Sequence, residues 1–231
     1  MKILDYLETR RSFLISGSLI GLAALSSPLL LPGCGEKEEK AGEVTAPEDL
    51  MREHGVLRRI FLIFDDLVVR LKQGQEFPPT VLTEAATLMR RFIEDYHEKL
   101  EEDYVFPRFE KAGKLAGLVD TLHRQHHAGR TITDFLLSPA ATADRQKLAA
   151  SLQAFTRMYR PHAAREDTVL FPAFRSVVSP QEFLELGDKF EDQEEARFGK
   201  GGYEKIVVQV AGLEKALGIE DLARFTPQVQ V

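Results

Sequence analysis

The chain has 231 residues, 44% of them hydrophobic and 29% charged, which suffices for one sizeable core. Its 30 Lys and Arg against 36 Asp and Glu leave a net charge of −6, and no segment carries a basic stripe, which argues against a nucleic-acid partner. Helix formers are abundant and no long alternating β-branched run occurs, so an all-α fold is expected.

Residues 1–34 read as separate from that core. "TRRSFLISGSLIGLAALSSPLLLPGCG" opens on Arg10 and Arg11, continues apolar and closes on small residues. "TRRSFL" resembles a twin-arginine export signal, with Phe13 and Leu14 in place, and "LPGC" resembles a lipoprotein box, with Pro32 unusual. Cys34 is the single cysteine and forms no internal disulfide. On this reading it is acylated, and the protein is exported and held at the extracytoplasmic face of a membrane by a lipid anchor. The alternative is an uncleaved transmembrane anchor, for which the apolar run is short. The resemblance implies export in a folded state, often with a cofactor already loaded. Residues 35–49 are polar without apolar periodicity and read as a flexible tether.

From Leu50 the apolar residues fall at helical spacing. Leu57, Ile60, Phe61, Phe64, Leu67, Val68 and Leu71 form one stripe, ended by "GQEFPP". A second helix is expected from about Thr80 to Lys111, a third from about Leu115 to Leu137, and a fourth from about Asp144 to Val178. Short connections between four helices make antiparallel neighbours and an up-down-up-down bundle over residues 50–178. Residues 179–231 add amphipathic helices that pack on the bundle, as a lid over one end.

The chain repeats itself. "HEKLEEDYVFP", His97 to Pro107, returns as "HAAREDTVLFP", His162 to Pro172, with a Glu four residues after the His and a Phe-Pro ending. Upstream, "REHGVLR" from Arg52 lines up with "RQHHAGR" from Arg124, pairing His54 with His126 and Arg58 with Arg130. The bundle is thus two helix hairpins, each giving one His from its first helix and a His-x-x-x-Glu from its second. Residues four apart share a helix face, so His97 and Glu101 point together, as do His162 and Glu166.

One such pair alone would be an ordinary solvated pair. Two copies on matched hairpins point inward, where a metal offsets the cost of burying carboxylates. Mixed imidazole and carboxylate donors suit iron, manganese or zinc. The approximate two-fold favours two metals at roughly 3.5–4 Å separation. His54, His97, His126 and His162 would then be terminal ligands, with Glu101 and Glu166 bridging. Glu102 and Asp167 are expected to face solvent or an arginine, with Asp167 a fallback ligand. Phe106-Pro107 and Phe171-Pro172 read as packed aromatics beside a kink.

These motifs resemble the hemerythrin family, specifically the bacterial HHE cation-binding type, over about residues 50–178. The resemblance implies non-haem di-iron within a four-helix bundle and binding of oxygen, nitric oxide or peroxide. Oxygen-carrying members use five His, with His-x-x-x-His on the third helix. Here "HRQHH" offers His123 and His127 at that spacing, whereas the repeat selects His126. His126 and His127 lie on faces about 100° apart, which leaves His123 as the natural fifth ligand and His127 exposed. A ferritin-like reading rests only on the Glu-x-x-His of Glu94 and His97. Three functions stay open: a binding module for oxygen or a related small ligand, an enzyme reducing nitric oxide or peroxide, and a bundle using metal only for stability. No flavin or haem motif supplies an electron source, and no partner domain accompanies the bundle.

Overall fold

The structure is a computed structural model that describes residues 44–229. The expected export signal with Cys34 and residues 35–43 of the expected tether lie outside the described residues. Residues 46–49, also expected in the tether, instead form the first turn of a helix, with Ala46 and Asp49 buried. Helix α1 spans Ala46–Lys72, beginning four residues before the expected Leu50. The cause is local: Pro47 sits in the first turn, and Glu48 reaches back to accept the Thr45 backbone N–H at 2.9 Å.

Helix α2 covers residues 79–112 and is not a uniform α-helix. Its α-helical start, Pro79–Leu88, widens into π-helix at Met89–His97, tightens at Glu98–Leu100, widens again at Glu101–Val105 and ends as α-helix at Phe106–Ala112. Gly113 then takes φ +64°, a left-handed stop that glycine makes at no steric cost. Helix α3 is Ala116–Leu137. Helix α4, residues 145–174, is capped by Asp144, which accepts the Lys147 N–H, and carries its own π-segment at Glu166–Leu170.

The two later π-segments share a cause. In each, the N–H of the Phe before a Pro donates to the carbonyl of the Glu five residues back: Phe106 to Glu101 and Phe171 to Glu166. A proline has no N–H and its ring clashes with the carbonyl four residues earlier, so widening the preceding turn accommodates it inside a continuing helix. The repeated Phe-Pro ending is therefore a device that re-aims the helix beside the two glutamates.

Helices α1 to α4 pack each on its neighbours around a ring, as an antiparallel four-helix bundle. Helices α5, Pro180–Phe198, and α6, Gly202–Leu217, add a second layer on the α1 and α2 side. They run along α1 rather than lidding one end: Tyr203 Oη donates to the Arg52 carbonyl, Arg59 pairs with Glu214, and Arg70 donates to the Leu217 carbonyl. These contacts fall near the start, the middle and the end of α1, which an end-on lid would not reach. Among the described residues no helix is long and apolar enough to cross a membrane.

Candidate metal centre

Where α1 to α4 meet, six polar side chains replace the apolar core. His54, His97, Glu101, His126, His162 and Glu166 are each at most 4% exposed. They meet through two kinds of contact, one inward and one outward.

Inward, the four imidazole Nε2 atoms converge in two pairs. His54 and His97 bring theirs to 3.1 Å, and His126 and His162 theirs to 3.2 Å. The carboxylates span both pairs. Glu101 places Oε1 3.7 Å from His97 Nε2 and Oε2 3.4 Å from His126 Nε2. Glu166 places Oε2 3.4 Å from His54 Nε2 and Oε1 3.0 Å from His162 Nε2. None of these four carboxylate oxygens accepts a hydrogen bond from the protein.

Outward, every Nδ1 has its own acceptor. His54 donates to Asp167 at 2.7 Å, His97 to Glu53 at 2.7 Å, His126 to Glu102 at 3.0 Å and His162 to Gln125 at 2.9 Å. A carboxylate only accepts, so the proton of a neutral ring sits on Nδ1 and the Nε2 lone pair faces inward. Two lone pairs facing each other at about 3 Å repel, as do two carboxylates without donors. A cation at each convergence relieves both, so the donor chemistry fits a pair of metal ions.

The protonation preferences agree for His97 and His126 and differ for His54. Burial pushes His126 down to about 4, and burial with the neighbouring His54 holds His97 well below its usual value. Burial opposes protonation of His54 too, but Asp167 and Glu166 outweigh it and raise that ring. Burial and the facing Glu166 hold Glu101 well above the usual carboxylate range. For Glu166 burial is outweighed by His162 and His54, which keep it ionised. Two carboxylates so placed share a single proton unless a cation supplies the missing charge.

The surroundings repeat with the same symmetry. Phe106 stacks on His126 at 5.5 Å between centroids and Phe171 on His54 at 5.7 Å. Arg58 pairs with Asp167, and Arg130 with Glu102 at 2.7 Å. Glu102 and Asp167, expected to face solvent or an arginine, do each meet an arginine but also hold a histidine Nδ1, and the sequence reading did not single out Glu53 or Gln125. A signal was present: each immediately precedes or follows a repeated inward residue. Asp167 holds the outer nitrogen of His54 rather than joining the inward donors.

The third helix resolves plainly. His126 joins the inward set, while His123 turns away to within 3.7 Å of Glu110, its side chain 40% exposed, and His127 is exposed. His123 is thus not positioned as a fifth donor: three residues before His126, its side chain lands over Phe106 at the bundle rim, 4.8 Å between centroids. Glu94 of the ferritin-like reading is buried but bonded to Thr133 at 2.5 Å, away from the inward donors.

Behind His162 lies a further polar layer that the sequence does not advertise. The Tyr159 ring is 5.2 Å from that of His162, and its hydroxyl donates to Glu98 at 2.6 Å. Glu98, fully buried, is pushed up to about 8 by burial, with Arg130 at 2.7 Å opposing that shift. Gly129 makes room for Tyr159, since a Cβ there would lie 2.0 Å from its hydroxyl oxygen.

Fold and site together define a cation-binding four-helix bundle. The chain belongs to the hemerythrin HHE cation-binding domain family, which matches residues 45–174 and again 118–195. It is 47% identical over 221 residues to uncharacterised proteins of Mycobacterium bovis and of two strains of Mycobacterium tuberculosis, covering 92% of this chain and 87% of each relative. No solved structure matches it.

Proposed function

We propose that the chain is a non-haem di-iron protein that binds oxygen or a related small ligand, with His54, His97, His126 and His162 as terminal ligands and Glu101 and Glu166 bridging. The observation that carries this reading is the set of four buried carboxylate oxygens without hydrogen bonds, each beside an imidazole Nε2. Two centres with matching inward donors follow from two matched hairpins. Iron is favoured over manganese or zinc by the family resemblance, the mixed imidazole and carboxylate set suiting all three. Bound iron would supply the redox and ligand-binding chemistry. The protein's own part is to exclude water, hold four imidazoles in one tautomer and keep two carboxylates available for ionisation.

Each centre is offered two imidazoles and the two shared carboxylates, with His123 turned away to the rim. That leaves coordination positions open on both ions. This favours a second reading, an enzyme reducing nitric oxide or peroxide at the same site, over reversible oxygen carriage alone. We further propose that the protein is exported through the twin-arginine-like signal and tethered to the membrane by lipid on Cys34; the pattern "TRRSFL" to "LPGC" supports this.

Elemental analysis of purified protein, with visible spectra before and after oxygen, tests the core of this reading. About two irons per chain and an oxygen-dependent spectral change are expected; a chain purified under iron-replete conditions without iron overturns it. Turnover of nitric oxide or peroxide with an added reductant decides between binding module and enzyme. Mass analysis of Cys34 decides the anchor.

A further inference from the structure

The outer partners of the four histidines match across the repeat at every position but one. His54 and His126 donate to the carboxylate that follows a bridging glutamate, Asp167 and Glu102, and each of these is held by the corresponding arginine, Arg58 or Arg130. His97 and His162 donate to the residue that precedes the first-helix histidine. In one hairpin that residue is Glu53; in the other it is Gln125. The His54 and His97 half therefore has two carboxylate acceptors and the His126 and His162 half has one. The environments sharpen the difference, because Glu53 is fully buried and Gln125 is only half-buried.

Resting on the di-metal reading above, we propose that Glu53 is a positioning residue that makes the His54 and His97 half the tighter metal site, so that the two ions load in order. A carboxylate accepting the Nδ1 proton raises the basicity of Nε2 and fixes the ring, and its charge offsets that of the incoming cation. An amide orients the ring equally well but adds no charge. At a buried site the extra charge is screened less than it would be at the surface. Changes to such outer partners shift metal affinity about 10–100-fold, so the first and second ions bind with affinities at least about tenfold apart. The consequence is a chain that holds one ion firmly and exchanges the other. That turns a pseudo-symmetric pair into two ions with separate roles.

The test is anaerobic titration of the metal-free full chain with ferrous iron, followed by calorimetry with chelator competition. Two unequal steps are expected, the tight one lost in His54→Ala and the weak one lost in His162→Ala. Glu53→Gln should weaken the tight step about tenfold and leave the weak step alone. Gln125→Glu should tighten the weak step, and the double exchange should reverse the loading order. A purely structural role for Glu53 would instead lower both steps and the melting temperature of the metal-free chain, with no rescue by Gln125→Glu; that outcome overturns the proposal, as do two equal steps in the unaltered chain. A chain that binds no ferrous ion, or only one at saturation, overturns the di-metal reading itself.

Discussion

At one end of the bundle Phe61 and Phe64 of α1 close on Phe155 of α4, with ring centroids 6.4 and 5.7 Å away, among Leu67, Ala85 and Leu152, all nearly or fully buried. A few turns along the same helices, equally buried positions hold His54, His97 and His162 with Glu101 and Glu166. The apolar end is stable by burial alone, each large side chain contributing roughly 1.5–3 kcal/mol. The polar end gains little from burial: it removes carboxylates from water and gives them no protein donor. The backbone differs correspondingly, α-helical through Phe155 and π-helical at Glu101 and Glu166. The lesson is that the fold is carried by one end so that the other can be held in an arrangement favourable only with cations.

The largest test of that division is Glu101→Ala, which removes the carboxylate shared by both imidazole pairs. Metal content should fall from about two ions per chain to one or none by elemental analysis, while far-ultraviolet circular dichroism stays helical. Phe155→Ala should do the opposite. It should cost about 3–5 kcal/mol in denaturant unfolding and leave the metal stoichiometry of the folded fraction intact. Gly129→Ala probes the seam between the ends, because its Cβ would strike the Tyr159 hydroxyl. A loss of about 1–3 kcal/mol in thermal unfolding is expected, the usual range for overpacking.

Acid separates the ends differently. Burial lowers His126 from 6.5 to about 4, so between those values the unfolded chain binds the proton first. The stability that the neutral ring contributes is whole above pH 6.5 and is lost as pH falls toward 4. Melting of the metal-free protein should follow this slope, and His126→Gln should flatten it. The smallest effect belongs to the rim: His123→Ala and His127→Ala should each leave iron content unchanged, and a loss of iron in either would return that residue to the inward set.

Much of the bundle is legible in short-range pattern. The apolar stripe from Leu57 to Leu71, the caps at Asp144 and Ser179, and the stops at Gly113 and "SPA" all depend on residues within a turn or two of one another. The inward direction of His97 with Glu101 and of His162 with Glu166 is equally local, since four residues bring a side chain back to the same face. The repeat extends this to His54 and His126 because it compares two local contexts. The two later π-segments are implicit in the Phe-Pro endings, yet reading them there requires knowing that the helix continues past the proline.

The amino-acid sequence by itself determined four helices, two matched hairpins and the residue types of a cation site, because periodicity and spacing are properties of neighbouring residues. Only the tertiary structure decided which group stands behind each histidine. Asp167 meets His54 across 113 residues, Glu53 meets His97 across 44, and Gln125 meets His162 across 37. It also decided that α5 and α6 lie along α1, and that His123 turns to Glu110. Such choices depend on the rotation and offset of whole helices against one another, set by the packing of many side chains together, which no local spacing records.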